Sequence, residues 1–434
     1  MVSPTKKILL LTLLTNACRV LLAIVFMVSG FVKAVDPVGF CHQLKDYADA
    51  FGVTLFPPSW LQVVAVLLVA AEFVAGFFLL VGVYRRLVTT AVFAMLLVYT
   101  PLTLYIALEN PVPDCGCFGS ALQLSNWETF GKNVVLLLAS LLLCVKGALF
   151  RSRVSSRNRW MAAIFAFFYI ALLQYMSIMH LPVIDFGPFA PGTDLREAIM
   201  DHPSVHSVVA VYEKNGEQRD FATNELPDSS WSFIGSKTRL VSPARAATVR
   251  DFAFIDLVTD EDFAAEILAD TGYVGILAME SLATADESRV DKVNELYDFC
   301  TACGIPFYAA TVSGEEQVQL WKKRTGAEYP IYWADDVMLK TMVRANPGFV
   351  LVRDGRVAGK WNMADIPSTD NMGSAAELLA ESKGYVVAMR GWRFWLLLFA
   401  LPLAFVLFVD MFAGEKKAAA KAAESPAENE NENE

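Results

Sequence analysis

The sequence predicts a polytopic α-helical membrane protein that carries a soluble α/β domain. Three observations lead there: apolar runs long enough to cross a bilayer, a basic bias on alternate loops, and a strand–helix alternation confined to the second half. Of 434 residues, 55% are hydrophobic and 19% charged, more apolar and less charged than ordinary soluble protein. The excess is uneven, since residues 8–181 and 392–413 are oily while 185–390 read as globular sequence. The net charge of −10 sits in the soluble stretch and the tail, which leaves no basic surface for nucleic acid.

A helical span needs about 20 predominantly apolar residues. Six stretches qualify, at 8–34, 60–82, 88–108, 130–149, 160–181 and 392–413. The first opens like a signal peptide, with Lys6 and Lys7 ahead of the apolar run. It continues through Phe26 and Phe31 without a small-x-small cleavage site, so it reads as retained. Lys and Arg in short loops set orientation. Lys6 and Lys7, Arg85 and Arg86, the group Lys146 to Arg159, and Lys416 to Lys421 all fall on one side. That side is expected to be cytoplasmic, with both termini there. Residues 182–391 then lie outside, in the periplasm of a diderm host, and the chain sits in the cytoplasmic membrane.

Two ionisable residues fall inside spans, where a charge is costly and usually pairs or lines a polar cavity. Counting 1.5 Å per residue, Arg19 lies roughly 16 Å and Glu72 roughly 15 Å from the inner ends of their spans. Matching depths make Arg19–Glu72 a candidate intramembrane pair for a substrate or quinone; the alternative is a purely structural bridge. Lys33 and Asp410, nearer span ends, are expected to snorkel. Pro101 interrupts span three.

Five cysteines, Cys41, Cys115, Cys117, Cys300 and Cys303, are placed on the oxidising face, where disulfides persist. Cys115 and Cys117, one residue apart, would strain a mutual bond, which leaves Cys41 as a natural partner. Either these are exchangeable redox thiols or they are a static clip. No metal site is expected, because His42 stands without a ligand cluster.

After Pro182 the pattern changes. Val205–Tyr212 alternates ahead of the Asn215-Gly216 turn signal, and 225–250 reads as irregular. Then come a strand at 252–258, a helix at 261–270, a strand at 273–279, a helix at 286–303, a strand at 305–312 and a helix at 314–325. A short strand near Ile331, a helix at 336–344, two strands around the Asp354-Gly355 turn and a helix at 373–383 complete the series. This order resembles the thioredoxin fold, in which Pro347 would be the cis-proline. The turn that would carry reactive cysteines, 280–286, has none, and Asp286 reads as an N-cap. The Cys300-x-x-Cys303 pair sits at the other end of that helix, where the dipole disfavours a thiolate. The domain therefore reads as a binding module.

The first 150 residues resemble the DoxX-like superfamily, and more closely its MauE-type branch. Arg19, Ser29-Gly30-Phe31-Val32-Lys33, Glu72 with Gly76 and Gly82, and Asp114-Cys115-Gly116-Cys117-Phe118-Gly119 carry the likeness. The whole chain resembles such a bundle fused to a periplasmic thioredoxin-like domain. The resemblance implies a four-helix bundle over 1–150 and a periplasmic thioredoxin-like domain at 251–390; the residue pattern adds a fifth span at 160–181, a connecting region with a β-hairpin at 182–250, a sixth span at 392–413 and a disordered cytoplasmic tail at 414–434. It also implies a link to methylamine utilisation, through maturation of a disulfide-rich periplasmic dehydrogenase, or to quinone chemistry. Two functions follow as expectations. One is a redox-linked maturation factor that passes electrons between a quinone and a periplasmic protein partner through Cys115, Cys117 and Cys41. The other is a non-enzymatic scaffold in the lipid bilayer that presents an inert binding domain.

Overall fold

The computed structural model describes residues 4–52, 57–111, 116–119, 121–122, 124–150, 152, 154–214, 217–222, 227–228, 230–242, 244, 246–381 and 391–424. The chain divides into two compact units, one of residues 1–187, 343–348 and 361–434, the other of 188–342 and 349–360.

In the first unit, six helices are long and apolar enough to cross a membrane. They are α1 (Pro4–Val35), α3 (Pro58–Val81), α4 (Arg85–Glu109), α5 (Asn126–Lys146), α6 (Arg159–Met179) and α13 (Trp392–Glu424). The protein is a multi-pass helical membrane protein. Between α1 and α3 lies α2 (Pro37–Ala50), in a stretch expected to be loop. Its start was legible: Asp36 caps the Gly39 amide at 2.8 Å and Pro37 occupies the first turn, where proline sacrifices no hydrogen bond. Ser125 and Glu128 form a reciprocal capping box that starts α5.

Two glycines set the register of α1 against α3. A Cβ on Gly30 would lie 2.6 Å from the Phe73 backbone nitrogen, and one on Gly76 would lie 2.6 Å from the Met27 nitrogen. Only hydrogen at both positions lets the backbones approach this closely. Phe73, Phe77, Phe165, Tyr169 and Phe399 then stack into an aromatic core shared by α3, α6 and α13.

The last helix departs from expectation. It runs on to Glu424, whereas a disordered tail was expected from 414. The Ala- and Lys-rich sequence after Gly414 has high intrinsic helix propensity, which prolongs a helix already begun in the span. Residues 425–434 lie outside the described residues.

The second unit opens with α7 (Leu195–Ala198) and a three-stranded antiparallel sheet in the order β2-β1-β3. Its strands are β1 (Val205–Lys214), β2 (Glu217–Ala222) and β3 (Ser232–Ser242). β1 and β2 pair antiparallel up to Lys214 and Glu217, and the expected Asn215-Gly216 turn lies outside the described residues. β3 falls where irregular chain was expected, because Gly235 and the bulge by Val211/Tyr212 break its alternation.

A five-stranded sheet follows in the order β6-β5-β4-β7-β8. It comprises β4 (Tyr273–Met279), β5 (Phe307–Thr311), β6 (Ile331–Trp333), β7 (Gly348–Arg353) and β8 (Arg356–Asn362). β4 to β6 run parallel, and β4, β5 and β7 are buried almost throughout, as central strands covered on both faces require. The helices of this unit are α8 (Ala264–Ala269), α9 (Val290–Ala302), α10 (Glu315–Thr325) and α11 (Asp336–Met342), while α12 at 375–381 falls within the first. The strand expected at 252–258 is reduced to single bridges at Ile255. Asn346–Pro347 is cis. Asp354 and Gly355, at φ 48° and 69°, turn β7 into β8, the twist a two-residue hairpin favours.

Candidate functional site

The Gly30 and Gly76 contacts place Glu72 of α3 opposite Ser29 and Lys33 of α1. The Lys33 ammonium donates to both carboxylate oxygens, at 2.8 Å and 3.1 Å. Lys33 is 6% exposed and Glu72 5%. Lys33 therefore does not snorkel as expected; it is buried and paired, with its charge 4.9 Å from the Phe40 ring centroid.

This corrects the candidate Arg19–Glu72 pair. Arg19 lies eleven positions before Gly30, roughly 16 Å along the helix axis from the crossing that positions Glu72. Its guanidinium sits 5.2 Å over the Phe150 ring instead. Arg85 approaches that ring at 5.9 Å and donates to the Phe150 carbonyl at 2.8 Å. Depth counted from span ends misjudged the register, because the glycine crossing and not the ends fixes how the helices slide.

Beside the Lys33–Glu72 pair is a cavity of about 100 Å³. Val25, Phe26, Leu68, Leu96 and Leu136 give it apolar walls, and Ser29, Tyr99, Thr103, Lys132 and Asn133 bring polar groups to it. Asn133 donates to Thr103 Oγ1 at 3.2 Å, and Thr103 donates in turn to the Tyr99 carbonyl at 2.9 Å. Phe40, Leu44 and Tyr47 line it from α2, three residues at helical spacing on one face.

Cys117 is part of the same wall. Ser29 Oγ donates to the Cys117 carbonyl at 2.6 Å, which ties the Gly116–Gly119 turn to α1. Gly116 has φ 54°, and any side chain there would run into Gln43 of α2. The glycine between the two motif cysteines is thus what lets the turn lie against α2. Cys115 lies outside the described residues. Cys41 is a half-buried free thiol on α2, next to Phe40. Burial pushes its thiol above the usual value, with nearby Lys45 opposing the shift. Among the described residues no disulfide is formed.

The α/β unit carries Cys300 and Cys303 at the end of α9. Asp286 caps the Ser288 amide at 3.0 Å, as expected of it. Cys300 is fully buried and its thiol is pushed up to about 12, first by burial and then by Cys303.

Glu72 and Cys117, singled out in the sequence, line this one cavity, and Lys33, Tyr99, Lys132 and Asn133, not expected beside them, line it too. The signal was present. Ser29 and Lys33 are one turn apart on the Gly30 helix, and Lys132-Asn133 follows the cysteine motif at the start of a span.

Six membrane-length helices, with a buried ion pair and a mixed polar and apolar cavity between α1, α2, α3, α4 and α5, define the class: a helical membrane protein with a chamber inside its bundle. Residues 9–146, which contain every side chain of that chamber, match the family model described as methylamine utilisation protein MauE. Residues 208–243, the β1–β3 sheet, match a domain of unknown function, DUF8463. No curated protein and no solved structure matches the chain.

Proposed function

We propose that the chain is a redox-linked maturation factor of the cell envelope, serving a protein partner outside the cytoplasm with Cys117 as its working thiol. The observation that carries this reading is the position of Cys117 on the wall of a membrane-embedded cavity beside the Lys33–Glu72 pair. A bundle built only to anchor a domain gains nothing from burying an ion pair at this cost. Cys115 or Cys41 supplies the second thiol. Oxidising two thiols to a disulfide releases two electrons and two protons, which a bilayer quinone takes up as a quinol. The match to the MauE model adds methylamine utilisation as the process served.

The Lys and Arg clusters favour cytoplasmic termini and an external α/β unit in the inner membrane. The order β4–α9–β5–α10, then cis Asn346–Pro347, β7, β8 and α12, supports reading that unit as thioredoxin-like. With no cysteine in the 280–286 turn, its part here is to dock the partner. That same gap favours a second reading, a non-enzymatic scaffold in which all the cysteines are inert.

The test is differential alkylation of Cys41, Cys115 and Cys117 in native membranes, with respiration running and blocked. A shift of Cys117 between thiol and disulfide when quinone turnover stops supports the redox reading. A constant state under every condition overturns it in favour of the scaffold.

A further inference from the structure

Among the described residues, the charges that line the chamber are one carboxylate and two ammonium groups. Lys33 and Glu72 neutralise one another at 2.8 Å, but Lys132 also lines the space and brings a second ammonium. Among the described residues no carboxylate pairs with it. Glu128, one helical turn earlier and the natural partner by spacing, is committed to Ser125 through both the hydroxyl at 2.7 Å and the amide at 3.0 Å. Lys132 instead lies 4.5 Å over the Phe118 ring, in the turn that carries Cys117. Its stem is half-buried on a helix of membrane length. A cation held against an aromatic ring at the cavity wall is placed to meet a ligand.

We propose that this chamber is a receptor for the acidic head of an amphiphile, and that Lys132 is the group that grips it. Apolar walls from Val25, Leu68 and Leu136 take the chain, and Tyr99 and Asn133 are placed to donate to the head. A cavity of about 100 Å³ is roomy enough for a carboxylate or phosphate head, since about one-tenth of that volume already holds a water. Among the described residues, the second ammonium at the wall favours an anion over a neutral or cationic head, because it attracts a negative charge. Carboxylate and phosphate share this chemistry. The inference holds whether or not Cys117 changes redox state.

The test uses the full chain in neutral maltoside micelles, with saturable binding of radiolabelled dodecanoate and dodecyl phosphate as the probes. Dodecanol and dodecylammonium are the competitors. Wild type is expected to bind the acidic probes, to be competed weakly by dodecanol and to reject dodecylammonium. Lys132→Gln is expected to lose roughly tenfold or more in affinity for the acidic probes, and Lys132→Arg to retain most of it. A preference for dodecanoate assigns fatty-acid-like ligands, and a preference for dodecyl phosphate assigns phospholipid-like ones. Should Lys132→Gln fail to fold, the wild-type order of anion over alcohol over ammonium carries the test alone. Equal binding of dodecanol and dodecanoate, or acidic binding untouched by Lys132→Gln in a folded protein, overturns the inference.

Discussion

Lys33 Nζ lies 2.8 Å from Oε2 of Glu72, and each side chain is 7% exposed. The two residues come from different helices, and their meeting is set by Gly30 and Gly76. The ion pair is therefore a consequence of backbone packing, and the chamber lies beside it. Ser29 links both to the Cys117 turn, with its hydroxyl 2.6 Å from the Cys117 carbonyl. Chemistry and architecture share one helix face here.

Removing one member of the pair is expected to cost more than removing both. Glu72→Gln leaves a buried ammonium without its counter-charge, which costs about 3–5 kcal/mol in comparable sites. Lys33→Met combined with Glu72→Leu replaces both by apolar groups and is expected to recover most of that loss. Thermal unfolding of all variants in the same detergent measures it. A double variant no more stable than Glu72→Gln would show that the loss does not come from an unpaired buried charge.

Gly30→Val is expected to destabilise the bundle, because its side chain would meet the Phe73 backbone, which cannot swing aside. Overpacking of this kind costs about 1–3 kcal/mol or more. Gly131→Ala is the control. Gly131 is in α5 with nothing within 4 Å of an added Cβ, so the change is expected to be neutral or to stabilise by about 0.5–1 kcal/mol through helix propensity. Equal melting temperatures for Gly30→Val and wild type would remove the glycine crossing as the determinant of register.

How much of this was legible follows from which forces act locally. Apolar length alone reveals six spans, since lipid demands it of every crossing helix. Cys117 and Glu72 stood out because their residue types are rare in such surroundings. Lys33 was misplaced, since its role depends on how two helices slide past one another, and that is decided by Gly30 and Gly76 in contact with residues far away in sequence. β3 was hidden by a bulge that breaks the alternation, and the strand sought at 252–258 failed because its neighbours offer Ile255 only isolated bridges. The extension of α13 was written in propensity and masked by composition.

Thiol reactivity is expected to separate the cysteines. Cys300 is fully buried, with its thiol pushed up to about 12 by burial and by Cys303. At pH 8 roughly one molecule in ten thousand then carries the thiolate that alkylates. Cys41, also raised by burial but only half-covered, is expected to react slowly and measurably, and faster as pH rises. Iodoacetamide labelling read by peptide mass spectrometry checks the order. Cys300 labelling as fast as Cys41 in the folded protein would contradict the burial described for α9.

The turn that carries Cys117 is expected to depend on Gly116 for two separable reasons. Its φ of 54° costs a residue with a side chain about 1–2 kcal/mol, and the side chain would also strike Gln43 on α2. Gly116→Ala should therefore both lower the melting temperature and displace Cys117, changing its rate of alkylation. Adding Gln43→Ala removes the collision and leaves the backbone strain. The double variant is expected to regain part of the stability and most of the wild-type labelling rate. If Gln43→Ala brings no recovery, the contact between the turn and α2 does not hold Cys117 at the cavity wall, and backbone conformation alone places the thiol.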